Sequence, residues 1–479
     1  SINGDYQEWS TAGFFGRINY NYKEKYLLEV NVRYDGTSRF RSDKRWKLFT
    51  SFSAGWNISK EGFWEPLKDY VNTFKLRGSY GELGNQNTTG WYPTYQQMGV
   101  SASNGSWLIN GIKPNTASAP ALVSSSLTWE RVKTWNVAVD FGLFKNRLTG
   151  YFEYYNRQTL DMVGPAPELP GTLGTGVPRT NNTDLKTYGF DLSIGWNDYL
   201  KNGFGYGIKL ILSDSQTEIT RYPNETGTLS TYRKGMKMGE IWGYTTVGIA
   251  KSQQEMNNHL AGLPNGGQNV LGSQWSAGDI MYADMNKDDK IDGGANTLTD
   301  HGDLSIIGNN TPRYLFGLDL TADYKGFDLR VFFQGVMKHN YFQSSYFFWG
   351  AHGGGVWHST CLEPHLDYFR ESNDHILGQN LDSYFPRPLF NGRNQHTQTR
   401  YLQNAAYIRL KNVQLGYTLP QSVINKLPIS KLRVFVSGEN LWTGTNMFKA
   451  FDPETIDGGW NGSVYPLSRT ISVGLSLNC

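Results

Sequence analysis

From Arg17 to Tyr34 the chain reads RINYNYKEKYLLEVNVRY, and its alternate positions differ in kind. Ile18, Tyr20 and Tyr22, then Tyr26, Leu28, Val30, Val32 and Tyr34, are apolar or aromatic, while Arg17, Asn19, Asn21, Glu29, Asn31 and Arg33 stand between them. The pattern recurs downstream. Phe52, Ala54, Trp56 and Ile58 oppose Ser51, Ser53, Gly55 and Asn57, and Ile471, Val473, Leu475 and Leu477 oppose Ser472, Gly474, Ser476 and Asn478. A period of two gives a strand one apolar and one polar face. Scanning for it predicts about 13 strands, near residues 14–23, 26–34, 47–58, 73–82, 127–142, 147–157, 187–197, 205–214, 313–324, 327–336, 406–418, 431–441 and 468–478. Each is near the length that a tilted membrane strand needs.

The intervening segments alternate in length. Short links at Lys23–Lys25, Lys145–Asn146 and Lys325–Gly326 alternate with long ones at about 84–126, 158–186, 215–312, 337–405 and 442–467. Medium links at 59–72 and 419–430 fall in the short register, and the modest loop at 35–46 falls in the long one. Soluble antiparallel sheets also alternate apolar and polar positions, but have no reason to sort loops by length onto two ends. A transmembrane barrel does, with short periplasmic turns and long extracellular loops. The chain is thus expected to be all-β, an antiparallel transmembrane β-barrel portion whose C-terminus lies at the periplasmic end. Tyr20, Tyr22, Tyr34, Trp56, Tyr154 and Trp196 near the strand ends suit interfacial girdles.

Composition narrows the alternatives. Aromatics reach 14% and charged residues only 18%, with 54 glycines; that charged fraction is below the usual quarter for soluble domains. No apolar run is long enough for a membrane helix. A net charge of +3 without Lys/Arg runs argues against nucleic acid as a partner. Two cysteines, Cys361 and Cys479, form no disulfide framework.

Five ordered blocks, TFKLRGSYGELGNQ (73–86), GDIMYADMNKDDKID (278–292), YKGFDLRVFFQG (324–335), AAYIRLKNVQLGYTLP (405–420) and VFVSGENLWTGTNMFKAFDPE (434–454), closely resemble the C-terminal portion of SusC-like TonB-dependent transporters of the Bacteroidetes outer membrane. The resemblance implies that residues 1–479 are part of a 22-stranded barrel whose plug domain and N-terminal strands lie in a further portion of the transporter. Ser1 is accordingly expected to fall inside the barrel of a longer polypeptide. It also implies TonB-dependent uptake of oligosaccharides or peptides. The implied partners are a SusD-like lipoprotein, TonB–ExbB–ExbD acting through the plug, the N-terminal portion and outer-membrane lipid. The end, Leu477-Asn478-Cys479, lacks the aromatic with which the family typically finishes.

Within the long segment 215–312, residues 284–292 have the pattern of a calcium loop. Asp284, Asn286, Asp288 and Asp292 supply side-chain oxygens at positions 1, 3, 5 and 9, and Lys290 supplies a backbone carbonyl at position 7. Asp289 stands where such loops have Gly, and the twelfth position is Ala295; Asp300 or Asp303 would have to replace the usual Glu. Similar loops in the family are Ca²⁺-like, so the expected role is a structural ion. The competing reading is a solvated Asp/Asn turn.

His352, His358, Cys361 and His365 in segment 337–405 match no zinc spacing. No GxSxG, HExxH or Walker loop is present, so no enzyme activity is expected. Two rivals to transport remain: an outer-membrane or secreted carbohydrate-binding β-protein, or an outer-membrane hydrolase. Trp91, Tyr92, Tyr95, Trp107, Phe347, Phe348, Trp349, Trp357 and Trp460 are loop aromatics that either face cargo or pack loop on loop, and for any one of them packing is the commoner role.

Overall fold

The computed structural model describes residues 6–88, 90–118, 120, 122–166, 177–425, 429–459 and 464–478, with the backbone only at His358; Trp460 and Cys479 lie outside the described residues. Thirteen strands form one antiparallel sheet in which sequence neighbours pair. They are β1 (Thr11–Tyr22), β2 (Tyr26–Thr37), β3 (Trp46–Asn57), β4 (Val71–Asn85), β5 (Glu130–Leu143), β6 (Leu148–Val163) and β7 (Asn181–Tyr199), followed by β8 (Gly205–Arg221), β9 (Arg313–Tyr324), β10 (Phe327–Lys338), β11 (Tyr407–Thr418), β12 (Lys431–Thr445) and β13 (Thr470–Asn478). All thirteen expected strands are present.

Register sorts the side chains into two faces. One row runs Ile18–Val30–Phe52–Tyr80–Trp135 across β1 to β5, and another runs Leu329–Leu415–Val436–Val473 across β10 to β13. On the opposite face Asn19, Glu29, Ser53, Ser79 and Asn136 stand in line. The apolar face is bare: Ile18 is 70% and Val473 73% exposed. No second sheet covers it, because the other sheets among the described residues are two-stranded ribbons. An apolar surface of this extent requires lipid against it.

Aromatic contacts mark both borders of that face. Tyr22–Tyr26, Trp64–Phe74, Phe204–Tyr206 and Phe327–Tyr417 lie near the short turns. Phe14–Trp46, Tyr34–Trp46 and Trp135–Tyr154 lie toward the long loops. At the Lys325–Gly326 hairpin both residues have positive φ, 48° and 90°, as a two-residue turn matched to strand twist requires.

The long segments depart from expectation in extent and content. Strands β6, β7 and β8 continue through QTLDMV (158–163), NNTDLK (181–186) and SQTEITR (215–221). Lipid ends before the pairing does, so these extensions carry no strict apolar alternation. The segments 222–312 and 339–406 are folded. They contain helix α1 (Gln253–Ala261), capped where the Ser252 side chain accepts the Glu255 N–H, and short ribbons such as Thr246–Ile249 with Ile280–Tyr282. Their shared core includes Met256, Ile280, Tyr282, Ile291, Phe348, Trp349, Phe385 and Tyr401, with Phe448 packed on it from segment 446–469. The three segments thus make one cap at the long-loop end of the sheet.

Candidate functional site

The polar face of the wall is a lattice of ion pairs. Arg17 meets Glu29 at 2.7 Å, Arg77 meets Glu153 at 2.8 Å and Asp140 at 3.1 Å, and Arg330 meets Asp319 at 2.7 Å. The Asn31 amide donates to Glu29 at 2.8 Å, and Arg33 pairs with Asp35 at 3.1 Å. Charges in this arrangement compensate one another while remaining wet, which suits the lining of an aqueous lumen. At the cap end Arg409, 2% exposed, binds Asp452 and Glu454 at 2.7 Å each, and Lys411 binds Glu454 at 2.6 Å. These pairs fasten segment 446–469 to β11.

The cap has a buried polar centre that no local sequence pattern marks. Asp279 is fully buried. Its carboxylate accepts from Arg387 Nε and Nη2 at 2.7 Å each and from Asn394 Nδ2 at 2.9 Å, with Arg393 at 3.6 Å. This joins segment 222–312 to segment 339–406. Burial pushes the Tyr244 hydroxyl up to about 12, and it raises Tyr282 and Tyr401 as well; all three stay neutral in the core.

In the calcium-like loop the backbone is left-handed at Lys287 (φ 62°) and Asp289 (φ 64°), so Asp289 adopts the turn for which Gly is usual. Asp284 accepts N–H groups from Lys287 at 2.6 Å and Asp289 at 2.9 Å; Asn286 accepts from Asp288 at 3.2 Å. Lys290 Nζ lies 2.6 Å from Asp292 and 3.6 Å from Asp288, and its ammonium holds the Asp292 carboxyl below the usual range. Asp303, fully buried, spends its oxygens on the N–H groups of Met285 and Asp292 at 2.7 and 2.9 Å. Among the described residues no three His, Cys, Asp or Glu side chains converge as metal ligands.

In the histidine-rich segment the rings of His352 and His365 are taken up by backbone contacts, and the His358 side chain lies outside the described residues. His365 Nδ1 accepts the Leu362 N–H at 2.9 Å, and Nε2 contacts the Phe347 and Phe348 carbonyls at 3.0 and 3.1 Å. His352 Nδ1 accepts the Gly354 N–H at 3.0 Å, and Nε2 lies 3.2 Å from the Ser344 carbonyl. Both rings are engaged with backbone, leaving Cys361 exposed and free at the mouth of an apolar cavity of about 360 Å³. The loop aromatics divide similarly. Phe348 and Trp349 are core, Trp91 stacks on Trp9, and Trp107 and Trp357 are 80% and 94% exposed.

A sheet with lipid against one side, ion pairs along the other and a folded cap at one end is the wall of a membrane-spanning β-barrel; no helix among the described residues is long and apolar enough to cross a membrane. Residues 2–441 match the family model described as TonB dependent receptor-like, beta-barrel, and the chain belongs to that family, whose SusC and RagA relatives are outer-membrane proteins. It is 27% identical to TonB-dependent receptor P3 of Formosa agariphila, covering 98% of this chain and 46% of that one. It is 26% identical to TonB-dependent receptor SusC of Bacteroides thetaiotaomicron, covering 97% and 43%. The chain therefore spans about half the length of the curated relatives it matches. The solved RagAB peptide importer in its open-open state shares the fold at a TM-score of 0.74, with 23% identity over 98% of this chain and 47% of that one.

Proposed function

We infer that this chain is the C-terminal part of the barrel of an importer that takes up oligosaccharides or peptides with a SusD-like surface lipoprotein. The observation that carries the reading is the cap. Three long segments share one core at the end of the wall opposite the short turns, where a captured molecule would first meet the barrel. Relatives named SusC and RagAB support a two-component assembly, and RagAB is a peptide importer. In this reading the N-terminal portion supplies the plug, TonB–ExbB–ExbD pulls on it, and the polar face lines the path that opens. Translocation breaks no covalent bond, so none of the named residues acts as nucleophile or base. We also propose that the 284–292 loop holds a structural Ca²⁺. Its support is the oxygen spacing of Asp284, Asn286, Asp288 and Asp292, together with the left-handed backbone at the fourth and sixth positions; binding would displace the Lys290 ammonium.

The test is growth of the host on a panel of glycans and peptides as sole carbon source, with the gene deleted and then restored. Loss of growth on one class, recovered by the intact gene and not by one lacking residues 339–406, is expected. Unchanged growth and uptake across the panel would overturn the importer reading.

A further inference from the structure

The long-loop end of β1 to β5 carries a concave site that none of the roles above uses. The link between β2 and β3 is basic: SRFRSDKR (38–45) sets Arg39, Arg41, Lys44 and Arg45 against the single carboxylate of Asp43, and Lys47 follows in β3. Among the described residues none of these charges enters an ion pair, whereas Arg17, Arg33 and Arg77 on the neighbouring wall are all paired. Arg39 is 5% exposed. Its guanidinium carbon lies 4.3 Å from the Trp9 ring centre and 4.4 Å from that of Trp91, and the two rings stack at 5.4 Å. Nη1 donates to the Gln86 carbonyl at 3.2 Å, while Nε has no hydrogen-bond partner. Arg45 Nε is likewise buried and unpartnered.

Arg45 lines a cavity of about 480 Å³ with Glu8, Trp9, Ser38, Tyr92 and Tyr95. Tyr92 is fixed there, since its hydroxyl donates to the Glu8 carbonyl at 2.8 Å and accepts the Glu8 N–H at 3.2 Å. A guanidinium withdrawn from water without an anion is costly unless something else compensates it, and stacked indoles compensate Arg39 only in part. The fold thus holds guanidinium groups outside any ion pair beside aromatic rings in a cavity of ligand size, which the Glu8 carboxylate, itself outside any ion pair among the described residues, also lines. Guanidinium groups recognise planar carboxylate and sulfate-like oxygens in bidentate fashion, and flat rings beside hydroxyl side chains suit the C–H faces of sugars. A basic rim also draws polyanions toward the mouth.

We propose that this vestibule is a recognition subsite for an anionic oligosaccharide, one bearing carboxylate or sulfate groups. Arg45, Arg41 and Lys44 pair with its anions, and Trp9 and Tyr95 stack on its rings. The inference rests on the importer reading. An acidic peptide would satisfy the charges but offers no regular face for the rings.

The experiment is calorimetric titration of the full-length transporter in lipid nanodiscs. The probes are tetragalacturonate, its methyl ester, a sulfated carrageenan tetrasaccharide with its desulfated form, and tetraglutamate. The expected result is that at least one acidic saccharide binds tenfold or more tightly than its neutral counterpart, with affinity falling as salt rises. Arg45→Gln should weaken that binding at least tenfold and flatten the salt dependence. The exposed double substitution Arg41→Gln/Lys44→Gln, chosen because it leaves the buried contacts intact, should do the same to a smaller degree. Tyr95→Ala should weaken binding and leave the salt dependence alone. Equal affinity for acid and neutral forms, or tetraglutamate binding as tightly as the saccharides, overturns the proposal. Uptake of neutral cargo without any preference for acid sinks this inference and leaves the importer reading standing; acid binding without uptake of any cargo does the reverse.

Discussion

His365 lies in the cap core with Nδ1 accepting a backbone N–H, a contact open only to the neutral ring. Burial holds it, with His259 and His339, below the ordinary imidazole value of 6.5. The unfolded cap therefore binds protons near 6.5 that the folded cap does not. Stability is complete above that value and declines as the pH falls from it toward the folded values. The urea midpoint of the cap, followed by tryptophan fluorescence, should be lower at pH 5.5 than at pH 7.5, and His365→Gln should narrow the gap. Asp279→Asn leaves Arg387 and Arg393 facing no anion and should cost about 2–4 kcal/mol in the same assay, Arg387 being partly wet. For the calcium-like loop, metal counting should give bound Ca²⁺ in the parent protein and lose it in Asp284→Ala and Asp288→Ala; identical counts would end that proposal. The oxygen spacing of this loop was legible because it is local. Asp279 was not, because its meaning depends on residues 387 to 394, more than a hundred positions away.

At the scale of elements the period of two explains what could be read. Along β12 successive residues face lipid and lumen in turn, so Val436 pairs with Val473 on one face while Ser437 pairs with Ser472 on the other. Val436→Lys should destabilise the barrel folded into lipid vesicles by about 2–4 kcal/mol, and Ser437→Lys by about 1 kcal/mol or less. Equal costs for the two would mean that the faces are misassigned. The alternation that locates the strands is imposed by lipid, so it vanishes where lipid ends; this is why 158–163 and 181–186 read as loop yet pair as strand. The cap was illegible for a related reason. Its core residues follow no period, and Phe348 and Trp349 look in sequence like any exposed loop aromatics until Tyr401 and Phe448 are brought against them.

For the whole molecule the two outer strands set a constraint. β1 enters from the long-loop end and finishes at the turn 23–25, and β13, twelve strands later in an unbroken antiparallel order, runs the same way. Their outer edges pair with nothing among the described residues. Exposed N–H and C=O groups are not sustainable in hydrocarbon, so closure needs further strands. Because β1 and β13 are parallel in direction, an antiparallel barrel closes only if the number added is odd, which makes the total even, as in single-chain bacterial barrels. The relatives are about twice as long as this chain, and the part of them that it does not match leaves room for such strands. Residues 1–479 expressed alone should therefore give no band that resists unfolding without heating in semi-native electrophoresis of outer membranes. Co-expression with the N-terminal portion should restore one. A heat-modifiable barrel from the 479-residue chain by itself would show that β1 and β13 find partners in another way, for instance in a second copy, and would overturn the requirement for further strands.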